Sequence, residues 1–213
     1  MALFDDNIQK QLKEILDQMV GDVTLLFFTQ EIECQTCKDT HDFVNEIAGL
    51  NDKLNVKTYN FVNDKEKAEA YGVDKVPAIV LLDKDGQDTR MKYYGIPGGY
   101  EINSFLAGIL MASGRDEQIP AELKKRIAAI DKPVHIQVFV SLGCPHCPNA
   151  VMTAHLLALE NENVKADMVE TSTFTHLAVR YNVSSVPKIV INEEHDFVGA
   201  QPLPHFLDVI EKA

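Results

Sequence analysis

The chain has four cysteines, and they fall as two Cys-x-x-Cys pairs, Cys34 with Cys37 and Cys144 with Cys147. Two thiols three residues apart at the start of a helix lie on one face of its first turn, so their sulfurs can meet. Unsatisfied N–H groups and the positive end of the helix dipole favour thiolate over thiol there. In Cys144-Pro145-His146-Cys147 the spacing predicts a helix that opens at Cys144, with Pro145 at the first helical position, where its missing donor costs nothing. His146, when protonated, adds a positive charge beside Cys144 and lowers its pKa further, as cationic neighbours do for reactive thiols. Such a pair can make and break a disulfide. One isolated pair would equally suit half of a zinc site or two buried thiols.

The chain answers by containing the arrangement twice. A shift of 110 residues carries Cys34 and Cys37 onto Cys144 and Cys147. The same shift carries Tyr71-Gly72-Val73-Asp74-Lys75-Val76-Pro77-Ala78-Ile79-Val80 onto Tyr181-Asn182-Val183-Ser184-Ser185-Val186-Pro187-Lys188-Ile189-Val190, with Tyr, Val, Val-Pro and Ile-Val in register. The chain reads as a tandem duplication.

Each repeat must supply the elements that hold its pair. In the first, Ile8, Leu12, Ile15, Leu16 and Met19 mark a helix over 7–20, and residues 24–29 a buried strand. The Cys34 pair then opens a helix to about Leu50, followed by a strand over 56–61 and a short helix over 64–71. Strands at 78–82 and 90–94 form a hairpin around Asp83-Lys84-Asp85-Gly86, whose glycine is misplaced for a calcium loop. Ile102, Phe105, Leu106, Ile109 and Leu110 mark a closing helix. The second repeat has the same order: a helix through Leu123 and Ile127, a strand over 134–140, the Cys144 helix to about Glu160, a strand over 164–169, a helix over 174–181, a hairpin over 188–191 and 196–199, and a last helix through Phe206 and Leu207. The joint falls in the polar stretch 113–118, giving units 1–115 and 116–213 that pack against each other.

Composition bounds the rest. An apolar share of 46% with 24% charged residues is ordinary for a globular chain of 213 residues. A net charge of −12 argues against binding nucleic acid or an anionic membrane surface. The residues Met1 to Asp6 lack a basic and apolar leader, and no run of apolar residues is long enough to span a membrane, so a cytoplasmic setting is expected. In a reducing compartment, cysteines confined to Cys-x-x-Cys pairs read as redox chemistry or metal binding. The remaining histidines (His41, His135, His155, His176, His195 and His205) show no metal-ligand spacing and read as surface or packing residues.

The element order, with Cys-x-x-Cys at the first strand-to-helix turn, resembles the thioredoxin fold: α/β, two tandem thioredoxin-like domains, each a mixed central sheet flanked by helices. The tandem pair resembles the two-domain protein disulfide oxidoreductases of thermophilic bacteria and archaea. That resemblance implies Cys34 and Cys144 as nucleophiles, Cys37 and Cys147 as resolving thiols, and reduction, oxidation and isomerisation of protein disulfides without metal or cofactor. Val76-Pro77 and Val186-Pro187 each place a proline 40 residues after the second cysteine of their own unit. They resemble the family's cis-proline loop, which implies that they face the disulfide and bind substrate backbone. The resemblance implies protein disulfides and a flavin-dependent, thioredoxin-reductase-like protein as partners.

The two sites are not expected to behave alike. The Pro145-His146 pair also occurs in a strongly oxidising periplasmic oxidoreductase of this fold, whereas Glu31 and Glu33 beside the first pair disfavour a thiolate. Phe28 and Val138 stand where thioredoxins often bury an Asp, so the proton acceptor is left to Glu31, Glu33 or water. Pro148 would distort the first turn of its helix. Gly98-Gly99-Tyr100-Glu101 resembles a glutathione anchor only weakly and reads as a loop entering a helix. Two competing functions remain: an electron carrier between a flavoprotein reductase and a peroxiredoxin, and a zinc-binding or chaperone module without turnover.

Overall fold

The structure, a computed structural model, describes residues 3–213; Met1 and Ala2, on which part of the N-terminal reading rests, lie outside the described residues. In chain order the elements of the first repeat are α1 (Asp6–Leu16), β1 (Val23–Thr29), α2 (Cys37–Ala48), β2 (Leu54–Asn60), α3 (Lys65–Ala70), β3 (Ala78–Leu82), β4 (Asp88–Tyr94), a single 3₁₀ turn (Gly99–Glu101) and α4 (Ile102–Ala112). Those of the second are α5 (Ala121–Ala128), β5 (Val134–Val140), α6 (Cys147–Glu160), β6 (Val164–Glu170), α7 (Thr175–Arg180), β7 (Lys188–Ile191), β8 (His195–Val198) and α8 (Leu203–Ile210). Among the described residues no helix is long and apolar enough to cross a membrane.

Local chemistry accounts for most of these boundaries. Asp5 caps α1 by accepting from the N–H groups of Asn7 and Ile8. β1, β3 and β5 are nearly unbroken apolar runs, and each is buried on both faces in the middle of the sheet. The Asp83–Gly86 stretch is a turn, closed by Asp85 and Gln87 N–H groups donating to the Asp83 carboxylate. β4 starts at Asp88, two residues before the expected strand, and carries a register shift opposite Val80–Leu82. At that irregularity Arg90 has φ +63°, and its guanidinium reaches across the repeats to donate to the Ala158 carbonyl at 2.7 and 3.1 Å.

The eight strands form one continuous sheet in the order β2-β1-β3-β4-β6-β5-β7-β8. Within each repeat a parallel pair (β1–β2, β5–β6) adjoins an antiparallel hairpin, the mixed arrangement expected. What joins the repeats is a parallel pairing of β4 with β6, Met91 opposite Ala166 through Tyr94 opposite Val169. The hairpin edge of one repeat meets the β2-like edge of the other, so each covers a row of unpaired backbone groups that would otherwise lie open. The join is head to tail, and it leaves β2 and β8 as the outer edges.

One apolar cluster runs along a single face of the sheet through both repeats, from Leu12 and Phe43 through Phe105 and Tyr93 to Val151 and Phe206. A smaller one, around Phe28, Tyr94, Phe139 and Phe174, covers the other face. Helices α4 and α6 are buried on most sides because they pack against the sheet and against each other across the join.

Candidate active site

Both Cys-x-x-Cys turns follow the central parallel strand of their repeat, and both are closed as disulfides, with Cα atoms 5.4 Å apart for Cys34–Cys37 and 5.5 Å apart for Cys144–Cys147. The helices start later than the sequence pattern places them. α2 and α6 begin at the second cysteine, Cys37 and Cys147, so Cys34, Cys144 and Pro145 precede the first helical residue. Pro148 therefore falls within the first turn of α6, where its absent N–H has no intrahelical partner to lose, and it does not distort the helix. The helix still offers its free donors to the leading sulfur: the Cys147 N–H donates to Cys144 Sγ at 3.2 Å. Among the described residues Cys34 Sγ accepts no such bond. In each pair the first cysteine is partly exposed and the second is buried, and His146 projects into solvent.

The two Val-Pro steps lie beside the sulfurs. Val76–Pro77 and Val186–Pro187 are both cis. Cys144 Sγ sits 3.8 Å from the Val186 carbonyl oxygen. At the first site Val76 lines a cleft of about 410 Å³ together with Glu33, Cys34, Gln35, Thr36, Ser172 and Thr173. The last two residues come from the second repeat. Glu33 has φ +60°, a left-handed conformation that its counterpart Gly143 does not need. Among the described residues no group of three or more His, Cys, Asp or Glu could hold a metal ion.

Sequence pattern alone missed Glu101. The 3₁₀ turn that carries it belongs to the first repeat but packs against α6 of the second. There the Tyr100 N–H donates to the Leu142 carbonyl at 3.0 Å, two residues ahead of Cys144. A Cβ at Gly99 would strike the same carbonyl, and Gly99 has φ +55°, so only glycine lets the turn come this close. Glu101 is fully buried. Burial pushes its carboxyl up to about 7, against a smaller lowering by a hydrogen bond from Ser104. Its Oε1 has no hydrogen-bond partner. Glu31 and Glu33, the sequence-level candidates for a proton acceptor, are exposed, and Phe28 and Val138 are buried and inert. A signal was present in the sequence, since Glu101 is the last charged residue before an uncharged stretch running to Gly114.

Known proteins bear on this arrangement. Residues 134–212 match the family model described as a thioredoxin domain. The chain superposes with a TM-score of 0.91 on the structure of the alkyl hydroperoxide reductase AhpF from Enterococcus faecalis, at 31% identity, over 97% of this chain and 99% of that one. The crystal structure of the N-terminal domain from the same protein gives the same values. The chain belongs to the family of these N-terminal domains. Other members of the wider thioredoxin-like group are close as well. A protein disulfide oxidoreductase from Aeropyrum pernix superposes with a TM-score of 0.90 at 28% identity, covering 98% of this chain and 93% of that one. A Bacillus subtilis protein named NADH dehydrogenase is 26% identical over 205 residues, 96% of this chain but 37% of its own length. The AhpF protein of Staphylococcus aureus is 26% identical over 192 residues, 90% of this chain and 34% of its own length.

This member of the family thus spans about a third of the curated relatives it matches. The relatives come from Enterococcus and Bacillus as well as Aeropyrum, so the likeness holds at the level of thioredoxin-like oxidoreductases and carries no thermophilic source with it. With two closed Cys-x-x-Cys pairs on tandem thioredoxin-like repeats, the chain is a thiol–disulfide oxidoreductase.

Proposed function

We propose that this oxidoreductase works as an electron relay, taking electrons from a flavin-dependent disulfide reductase and delivering them from Cys144–Cys147 to a peroxide-reducing partner protein. The observation that carries this reading is the end-to-end likeness to the N-terminal domain of the alkyl hydroperoxide reductase AhpF. It supports the carrier function as a specialised use of the same disulfide exchange. We further assign two units, 1–115 and 116–213, and a cytoplasmic setting in keeping with cysteines used only in redox pairs.

At the second site the reduced Cys144 attacks a substrate disulfide. A bond forms between Cys144 Sγ and one substrate sulfur, and the other substrate sulfur leaves as a thiolate and takes a proton. Cys147 then gives its proton to Glu101 and attacks Cys144 Sγ. The Cys144–Cys147 bond forms, the mixed disulfide breaks and the second substrate sulfur departs as a thiolate that takes a proton from solvent. Two electrons reach the substrate, and two return from the reductase. The Cys147 N–H steadies the Cys144 thiolate, His146 adds charge when protonated, and Val186 with Pro187 presents backbone to the substrate strand. Cys34 and Cys37 run the same exchange at the first site, with Val76 and Pro77 facing the substrate.

The test compares NADH-driven turnover with a flavin-dependent disulfide reductase, using either a peroxiredoxin and peroxide or insulin as final acceptor. Peroxiredoxin turnover faster by about tenfold or more supports a dedicated carrier, on the scale of partner discrimination by docking. Insulin reduction as fast as, or faster than, peroxiredoxin turnover would return the chain to the general disulfide reductases.

A further inference from the structure

Ser104 stands in the first turn of α4, buried, with its Oγ 2.5 Å from Glu101 Oε2 and 2.9 Å from the Glu101 carbonyl oxygen. A hydroxyl has one proton to give, and both acceptors belong to the same residue. With Glu101 ionised, the Ser104 O–H donates to Oε2. With Glu101 protonated on Oε2, the carboxyl O–H donates to Ser104 Oγ, and the hydroxyl turns its own proton to the Glu101 carbonyl. Either state is fully bonded on that side, and Oε1 stays unpartnered in both.

The rest of the chain holds the hydroxyl in register. The Ser104 carbonyl accepts the Tyr93 O–H at 2.8 Å. Because Tyr93 gives away its proton there, His155 Nδ1, 3.2 Å from the phenol oxygen, must be the donor in that contact. Gly108, four residues past Ser104, makes the approach feasible, since a Cβ there would collide with the Tyr93 hydroxyl. Tyr93, Ser104 and His155 thus brace one another from β4, α4 and α6.

We propose that Ser104 is a positioning residue for exchange at Cys144–Cys147: its hydroxyl switches acceptors as Glu101 gains or loses a proton, and so keeps that carboxyl able to take the proton of Cys147. This rests on the reading of Glu101 as proton acceptor. The ionisable group facing Glu101 is Tyr93 from β4, whose burial holds it protonated, and the turn that carries Glu101 packs against α6, the helix that begins at Cys147. Burial raises the Glu101 carboxyl and the Ser104 bond lowers it, so losing the hydroxyl moves it higher still.

The experiment uses the full chain carrying Cys34→Ser and Cys37→Ser, so that only the second site reports. Its reduced form is mixed with a model protein disulfide, and the rate of Cys144–Cys147 closure is followed from pH 5 to 9 for the parent, Glu101→Gln, Ser104→Ala, Ser104→Thr and Ser104→Cys. The parent should show an inflection near pH 7 that Glu101→Gln removes. Ser104→Ala should move it upward by about one pH unit or more, the size expected for a lost hydrogen bond to a charged group, and slow closure at neutral pH by up to roughly tenfold. Ser104→Thr should restore the parent profile. Ser104→Cys, a weak donor of similar size, should shift it in the same direction as Ser104→Ala and serves as the second variant if alanine there prevents folding. An unmoved inflection in the alanine or cysteine variant, or a shift that threonine does not reverse, overturns the assignment to Ser104. An inflection that survives Glu101→Gln overturns the reading of Glu101 instead.

Discussion

The two Cys-x-x-Cys turns occupy the same position in their repeats and differ in what the opposite repeat brings to them. The second site receives a 3₁₀ turn bearing the buried, half-unpartnered carboxyl of Glu101. The first receives the turn after β6, whose Ser172 and Thr173 form one wall of the cleft at Cys34. A buried carboxylate stands behind that wall as well. Both oxygens of Glu170 are taken, by the Ser172 N–H at 2.9 Å and the Thr173 N–H at 2.6 Å. One buried acid is committed to holding a turn, and the other has an oxygen to spare. The contrast comes from the head-to-tail join: a symmetric pairing would give both turns the same neighbour, whereas β4 beside β6 gives each a different one.

Removing sulfur should separate the sites most. Under the proposed relay, Cys144→Ser with Cys147→Ser abolishes peroxiredoxin-coupled turnover, while Cys34→Ser with Cys37→Ser leaves the larger part of it. Equal losses, or survival of turnover in the first double variant, would make the first site the exit for electrons. Next comes Glu101→Gln, expected to slow closure of Cys144–Cys147 by about 100-fold, the lower end of what a positioned proton acceptor contributes. Rapid-mixing kinetics on the two single-site backgrounds would show whether the loss is confined to the second site, as the proposed exchange requires.

Stability against pH tests the same carboxyl without any substrate. Glu101 titrates near 7 in the folded chain and near 4.5 when unfolded, so as pH rises between those values the unfolded state ionises first and stability falls, by about 3 kcal/mol in all. His155 acts oppositely. Burial lowers it from 6.5 to about 4, so its neutral form stabilises the fold above 6.5, and that contribution is lost as pH falls toward 4. Between about 4.5 and 6.5 the two slopes cancel. Glu101→Gln should expose the His155 slope, with stability climbing by about 1.4 kcal/mol per pH unit across that window. Denaturant melts at half-unit pH steps would show it, and parallel curves for parent and variant would mean that Glu101 is not buried as a neutral acid.

Much of this was legible in the sequence, for a local reason. The run Val134–Val140 is β-favouring and apolar almost throughout, and it forms β5 over those residues. The duplicated Tyr-x-Val and Val-Pro blocks fix a repeat because two patterns in register leave little freedom, and both Val-Pro steps arrive beside a sulfur. The start of α6 was misplaced by three residues because Pro145 and Pro148 both suit an N-terminal turn, and local preference cannot choose between them. The join was beyond reach for a different reason. Lys92 and Asp167 are charged residues that no local pattern marks as buried, yet they lie buried opposite each other where β4 meets β6. Which edges pair depends on the shape of two finished surfaces, and Glu101 gains its role only once that pairing has carried it under the other repeat.

The smallest expected difference concerns the charges at the rim. Glu31 and Glu33 are exposed close in sequence to Cys34, while His146 is exposed two residues from Cys144. Exposed charges are screened and contribute up to about 1 kcal/mol, so Glu31→Gln with Glu33→Gln should raise alkylation of reduced Cys34 at neutral pH by no more than roughly fivefold. His146→Gln should lower that of Cys144 by a similar or smaller factor. Both effects should shrink in about 0.5 M salt, whereas the loss in Glu101→Gln should not, because a buried group is screened far less. If the glutamine pair left Cys34 unchanged and His146→Gln left Cys144 unchanged, the charge difference at the rim would be irrelevant, and the inequality of the sites would lie entirely in the buried carboxyl and the N–H donated to Cys144. If Cys34 instead reacted at lower pH than Cys144 even with its glutamates in place, the second site's thiolate would have no advantage, and relay direction would have to come from the partners.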